Sequence, residues 1–334
     1  MKDLRLWLGQ NYGLLLAIAV FILMFTLYIA NHSAGLTVPV VTTAANKAVL
    51  LALVAMAQTL PVLTGGLDLS VGMVFVLANC IASTIVTGTP LQVALGIVGT
   101  LGAGLLAGSI NGAIIVYGRL QPIITTLAMG AVYYGIALFL RPIPGGFEPR
   151  EGVENVHEDI ADMMTWTVWE TVPTSLVLLL AVVLVVWLPF RRSTLGRGCY
   201  AIGSAEGAAY MSGVNLGRSR LAAYALAGFL AALAGLLLTF VTFSGEASAP
   251  IGGTYTLNSI AAVVIGGTSL YGGAGSAIGS IFGAFVLRTI DDLLFVFDLP
   301  PLWQPLFQDV VLLGAVSLGA ARVFRIRNRL ELFG

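Results

Sequence analysis

Long apolar runs, repeated along nearly the whole chain, limit this sequence more than any other feature. Windows of about 20 apolar residues match the thickness of a bilayer's hydrocarbon core. Ten such windows are found, near 12–30, 46–64, 70–87, 91–117, 123–140, 173–190, 220–243, 255–267, 276–297 and 304–321. The eighth is short and bounded by glycines, which marks it as a half-span. Composition excludes the soluble class, because 58% of the 334 residues are hydrophobic and only 10% are charged. Soluble domains run near 45–50% and about 25%. The runs are unbroken, where a transmembrane barrel alternates in pieces of about ten residues. The expected fold is therefore an all-α polytopic membrane protein with about ten transmembrane helices in a single transmembrane domain, residues 1–334. The first run, after MKDLRLWLGQN, has no small-residue cleavage pattern and reads as a retained span.

The basic residues sort by side. With the N-terminus inside, twelve fall inside, Lys47, Arg141 and Arg150 fall outside, and Arg288 lies within a span, which accounts for all 16. That asymmetry is the positive-inside rule, and it places both termini in the cytoplasm. Two extramembrane segments are long. The outer one, 141–172, carries seven acids against two arginines; the inner one, 191–219, has 29 residues where a helical bundle usually connects with 2–8. Cys80 and Cys199 have no close partner in sequence, so no disulfide or metal site is read. Neither a nucleotide-binding loop nor a soluble domain is present. His32 and His157 are both expected outside and apart, which leaves an intramembrane enzyme without a catalytic constellation.

Two features inside the greasy background are polar. The first is GGLDLSVG at 65–72, where an aspartate sits among glycines at the end of a membrane-length run. An unsolvated charge at mid-membrane costs about 2.5–3.5 kcal/mol on insertion scales. Asp68 therefore needs hydrogen-bond donors, either as an N-cap of a helix starting at Leu69 or Ser70 or from a passing polar solute. Gly65, Gly66 and Gly72 let backbones approach around it and Ser70. The stretch is echoed by GGTSLYGG at 266–273, with Gly266, Gly267, Gly272 and Gly273, and internal repeats with broken helices mark transport pathways. Gln58, Asn79, Asn111 and Asn258 are intramembrane amides suited to a pathway or to helix–helix hydrogen bonds. Arg288, Asp291 and Asp292 stand three and four apart on one span and are expected to pair.

The second polar feature is a short helix inside the 191–219 loop. Ser204 is placed to cap its start, Glu206 and Gly207 fall in its first turn, and Gly213 is placed to end it. Asn215 then caps the next span. A capped helix of about two turns, held on the surface between spans, has the form of a peg for a partner's groove.

With these residues in view, TGGLDLSVG at 64–72 resembles the signature of ribose-type ABC importer permeases. YAIGSAEGAAYMSGVN at 200–215 is similar to their ATPase-docking loop, and IGGTSLYGGAGSAIGSIFGA at 265–284 to their glycine-rich C-terminal signature. The order and spacing fit over nearly the whole chain. The resemblance implies a bacterial inner-membrane permease for a monosaccharide, with a second permease chain completing the pathway. It implies two ABC-type ATPase subunits below and a periplasmic sugar-binding protein above. No cofactor is then bound by this chain; ATP and Mg belong to the ATPase. Glu206 and Gly213 match the coupling helix, and Arg141 and Arg150 are the candidates for pairing with acids on the binding protein. A permease for a nucleoside or branched-chain amino acid shares this architecture, and a gradient-driven secondary transporter remains a distinct alternative.

Overall fold

The structure, a computed structural model, describes residues 2–141 and 167–300 and scattered positions between 302 and 314. It is mostly helical. In chain order the helices are α1 (Lys2–Asn31), α2 (Val38–Leu63), α3 (Val71–Ile85), α4 (Pro90–Tyr117) and α5 (Pro122–Leu140). After a two-residue antiparallel ladder between Thr167–Val168 and Val172–Pro173 come α6 (Thr174–Arg192), α7 (Thr194–Ser204) and α8 (Glu206–Met211). The chain continues through α9 (Leu216–Thr242), α10 (Ala249–Ile265) and α11 (Ala277–Val296). Most of the expected span at 304–321, and the stretch 142–166 with Arg150 and His157, lie outside the described residues.

Boundaries follow local chemistry. Pro stands in the first turn of α2, α4, α5 and α10, where its missing N–H is no loss. Thr89 and Gln92 form a reciprocal capping box at the start of α4. Within α6, Val183–Trp187 widen into a π-helical turn. Pro189 follows after Leu188; its ring crowds the carbonyl four residues back and it has no N–H to offer, which favours the wider turn.

Six helices among the described residues are long and apolar enough to cross a membrane: Tyr12–Asn31, Val38–Leu63, Pro90–Tyr117, Pro122–Leu140, Thr174–Arg192 and Leu216–Thr242. The windows at 70–87, 255–267 and 276–297 are not among them. At a rise of about 1.5 Å per residue, α3 is only about 22 Å long, short of the roughly 30 Å core. It begins partway along the bundle because the 64–70 break consumes the residues before it. The short eighth window is a longer helix than expected, α10, starting at Ala249. α11 has the length of a span but carries Arg288, Asp291 and Asp292.

α2 and α9 form the centre. Their apolar windows are 67% and 61% buried, against 11% for α1. Residues Val49–Leu63 of α2 are buried without interruption. Where α4 crosses α9, Gly104 and Gly108 lie against Gly228 and the Tyr224 carbonyl, leaving no room for a Cβ. Close backbone approach through small residues is how helices adhere in lipid, where burial of apolar surface gives no drive. Phe21 of α1 packs on Phe282 and Phe285 of α11, with ring centroids 6.1 and 5.3 Å away.

Candidate functional site

The break between α2 and α3 is built by glycine and then clamped by buried amides and hydroxyls. α2 ends in a Schellman turn. Gly65, at φ 77°, donates its N–H to Val62 O, and Gly66 donates to Pro61 O. The chain then runs extended through Leu67 and Asp68. Gln58, wholly buried one turn back on α2, clasps Asp68 by its main chain. In the amide orientation that satisfies both groups, its Nε2 donates to Asp68 O at 2.9 Å and its Oε1 accepts from Asp68 N at 3.3 Å.

Asp68 itself is 2% exposed. Its Oδ1 accepts from Ser70 N at 2.9 Å and from Ser70 Oγ at 2.6 Å. The helix begins later than expected: Ser70 occupies the N-cap position of α3 and Asp68 lies two residues before it. Asp68 therefore does not cap the helix directly. It forms an Asx-type turn that fixes the residue from which the helix grows. The chain of bonds continues, since Asn111 Nδ2 of α4 donates to Ser70 Oγ at 2.8 Å. Tyr133 Oη of α5 lies 2.9 Å from Asn111 Oδ1 and 2.8 Å from Ala107 O. Thr126 Oγ1 of α5 accepts from Leu69 N at 3.0 Å, and Thr256 Oγ1 of α10 accepts from Gly72 N at 3.1 Å. Gly72 lies so close to Gly252 O that a Cβ there has no space. Four helices thus hold the break.

Asn79, in contrast, serves the far end of α3. Its Nδ2 donates to Thr239 Oγ1 and Ser244 O, and its Oδ1 accepts from Glu246 N. Arg141 is near it, with Nε 3.2 Å from Ser83 Oγ and Nη2 donating to Ser83 O at 2.8 Å. At this end too, Arg288 pairs with Asp291 at 2.9 Å, as the spacing suggested, whereas Asp292 pairs across to Lys47 of α2 at 3.5 Å.

The glycine-rich stretch after α10 repeats the α2 terminus in a shifted register. Gly267, at φ 83°, donates to Val264 O and Thr268 N donates to Val263 O, the same Schellman pattern. Gly65 therefore corresponds in geometry to Gly267, one position along from the match of the two sequences. The two breaks also touch. Gly273 N donates to Leu63 O at 3.1 Å, and a Cβ on Gly272 meets Gly65 N at 2.7 Å.

The long basic loop joins them at the same point. It contains α7, which the sequence reading did not foresee, before the short helix. Gly203 of α7 packs on Leu63 O and the Gly273 amide, Gly273 leaves no room for a Cβ against Ser204, and Tyr200 Oη donates to Gly275 O at 2.9 Å. The three quoted motifs meet in one knot. Ser204 is a correction: it ends α7, its Oγ donates to Tyr200 O at 2.9 Å, and the cap position of α8 is Ala205. Glu206 opens α8 and bonds Arg220 at 2.7 Å. Gly207 has open space around it. Gly213, at φ 76°, closes α8 as expected, with Gly213 N donating to Tyr210 O and Val214 N to Ala209 O. Asn215 Oδ1 caps α9 through Arg218 N. Tyr210 and Met211 stand 69% and 84% exposed on α8.

Sequence reading missed Thr126, Tyr133, Tyr200 and Thr256. Thr126 and Tyr133 are seven apart, two turns on one face of α5, and that spacing was their only signal. Among the described residues no group of acids, histidines and cysteines is arranged for a metal, and both cysteines are free and buried.

Comparison with known proteins adds a separate line. Residues 40–316 match the family model described as branched-chain amino acid transport system / permease component. The ribose import permease protein of Haemophilus influenzae is 34% identical over 268 residues, 79% of this chain and 80% of that protein. The fructose import permease protein of Rhizobium meliloti is 32% identical over 82% of this chain and 75% of its own length. The autoinducer 2 import system permease protein of Photorhabdus temperata is 30% identical, with 88% of this chain and 87% of its own covered. No solved structure matches the chain.

Proposed function

Because this chain belongs to the family of permease components of branched-chain amino acid transport systems, we propose that it is the membrane-spanning permease of a binding-protein-dependent ABC importer carrying a monosaccharide. The relatives named for ribose and fructose import supply the substrate class. One observation carries the mechanism: both glycine breaks and the loop leading to α8 are packed against one another through Gly65, Gly203, Gly272 and Gly273. A push on α8 reaches the start of α3 without passing through a flexible linker.

In this reading α8 is the coupling helix that seats in an ATPase subunit, presenting Tyr210 and Met211, with Glu206 tying it to α9. The basic end, with Arg119, Arg191, Arg192, Arg197 and Arg218, faces the cytoplasm, and both termini lie there. About ten transmembrane segments arise once α3, α10, α11 and the segment near 304–321 are counted, with α2–α3 and α10–α11 as the paired halves of a pseudo-repeat. A second permease chain completes the pathway, and a sugar-binding protein docks on the opposite face beside Arg141 and Arg150. The chain performs no chemistry; ATP and Mg act in the partner.

Uptake of labelled sugars by cells with and without this chain tests the proposal. The expected result is loss of one monosaccharide's uptake in its absence, with dependence on ATP rather than on the proton or sodium gradient. Retained sugar uptake with lost branched-chain amino acid or nucleoside uptake overturns the substrate class.

A further inference from the structure

Beside the 64–70 break, at the basic end, lies a cavity of about 430 Å³ to which the importer reading assigns no occupant. Its walls are Thr64–Gly66 just past α2, the last turn of α4 with the connection to α5, the start of α5 and the first turns of α9. Arg119, Arg220 and Tyr224 line it, and among the described residues no acidic side chain does. The size suits a small ligand, since such pockets run about 300–1,000 Å³.

Tyr224 carries the second observation. The residue is wholly buried, and its hydroxyl has no hydrogen-bond partner among the described residues. Buried polar groups are almost always paired, and an unpaired one calls for an explanation. The hydroxyl stands at the cavity wall against Gly66, where an added Cβ comes to 2.5 Å from it. Arg119 is held at φ 54° in the left-handed region, a conformation few residues with a side chain adopt.

We propose that this cavity binds a phosphate-bearing anion, with Arg119 and Arg220 meeting its charge and the Tyr224 hydroxyl donating to one of its oxygens. The planar guanidinium fork matches phosphate oxygens, which makes arginine the favoured partner for them. Pro122 and Leu216 open α5 and α9 at the wall, so two positive helix ends outnumber the one negative end that the last turn of α4 brings to it. The opposing C-terminal end of α2 is already satisfied by the Gly65 and Gly66 amides.

Occupancy has a consequence for α8. Arg220 is the residue that now bonds Glu206, and that pair is half-exposed on the Glu206 side. Exposed pairs hold weakly, so an anion at Arg220 competes with Glu206 and releases α8 from α9. If the basic end faces the cytoplasm, as proposed above, the ligand is either a soluble phosphomonoester or a headgroup of the inner leaflet. The binding itself is read on the chain alone and does not depend on the importer reading.

The full chain, purified in neutral detergent, is unfolded thermally with inorganic phosphate or glycerol 3-phosphate against sodium chloride at equal ionic strength. A saturable rise in midpoint is expected for the wild type. Arg119→Gln and Tyr224→Phe each weaken the phosphate affinity at least tenfold without lowering the unliganded midpoint, and Glu206→Gln, which frees Arg220, tightens it. Absence of a phosphate-specific rise, or an equal rise in Arg119→Gln and Tyr224→Phe, overturns the proposal. In nanodiscs, a rise present in phosphatidylcholine but absent in phosphatidylglycerol supports the site with a headgroup as occupant. A rise in both supports it with a soluble phosphomonoester, and a rise in neither overturns it for the embedded protein.

Discussion

Asp68 is placed where its loss and its neutralisation have different effects. Its Oδ1 accepts from the Ser70 amide and hydroxyl, and the residue is buried. Asp68→Asn keeps an acceptor oxygen in place, and unfolding stability is expected to change by no more than about 0.5 kcal/mol, since Asn and Asp are equivalent in such turns. Asp68→Ala leaves the Ser70 donors without that acceptor and is expected to cost about 1–3 kcal/mol. Thermal unfolding of the two variants measures the contrast. A folded Asp68→Asn protein that no longer transports assigns the charge a role beyond the turn. Glycines divide in the same way. Gly72→Ala drives a Cβ into Gly252 O and is expected to destabilise by about 1–3 kcal/mol or more. Gly207→Ala meets nothing within 4 Å in a helix and is expected to gain roughly 0.4–1 kcal/mol. Loss of transport by a Gly207→Ala protein of full stability then points to a partner surface at α8.

At the scale of elements, long apolar runs located most of the described long helices within a few residues, α2 and α10 starting earlier than expected, because a bilayer-length run permits little else. The beginning of α2 at Val38 escaped it, since Asn46 and Lys47 interrupt the run. α7 escaped it for a different reason. TLGRGCYAIGS contains three glycines, residues expected to weaken a helix by about 1 kcal/mol each against alanine. They are there for contact: Gly196 lies on Phe190 O, Gly198 on Ser219 and Gly203 on Leu63 O, and packing overrides propensity. The ends of α8 divide likewise, because Gly213 is marked by a required positive φ whereas Ser204 is drawn into α7 by its bond to Tyr200 O. The polar site was legible in its first residues, Asp68 and Ser70, and not in Thr126, Tyr133 and Thr256, which come from helices distant in sequence. Gly203→Ala tests the knot as a coupling element. Its Cβ collides with backbone at Leu63 and Gly273, so transport is expected to fall at least tenfold while α8 still binds its partner. Full transport in that variant removes the knot from the mechanism.

Across the whole molecule, one arrangement recurs: a polar break near each of two short or charged helices, both breaks at the basic end, and a loop helix resting on them. The matched family and the relatives named for import fix the chain as a permease. They leave the coupling through α8 as the central claim, and co-purification tests it most directly. The tagged chain is to be solubilised gently from its native membranes, with Glu206→Lys/Gly213→Val as the paired variant, and its ATP hydrolysis and subunit content measured. The account expects an ABC-type ATPase subunit in fixed stoichiometry with the wild type, vanadate-sensitive hydrolysis, and loss of both in a variant that remains folded. A well-folded chain that purifies without an ATPase, or an ATPase held equally by the paired variant, contradicts it.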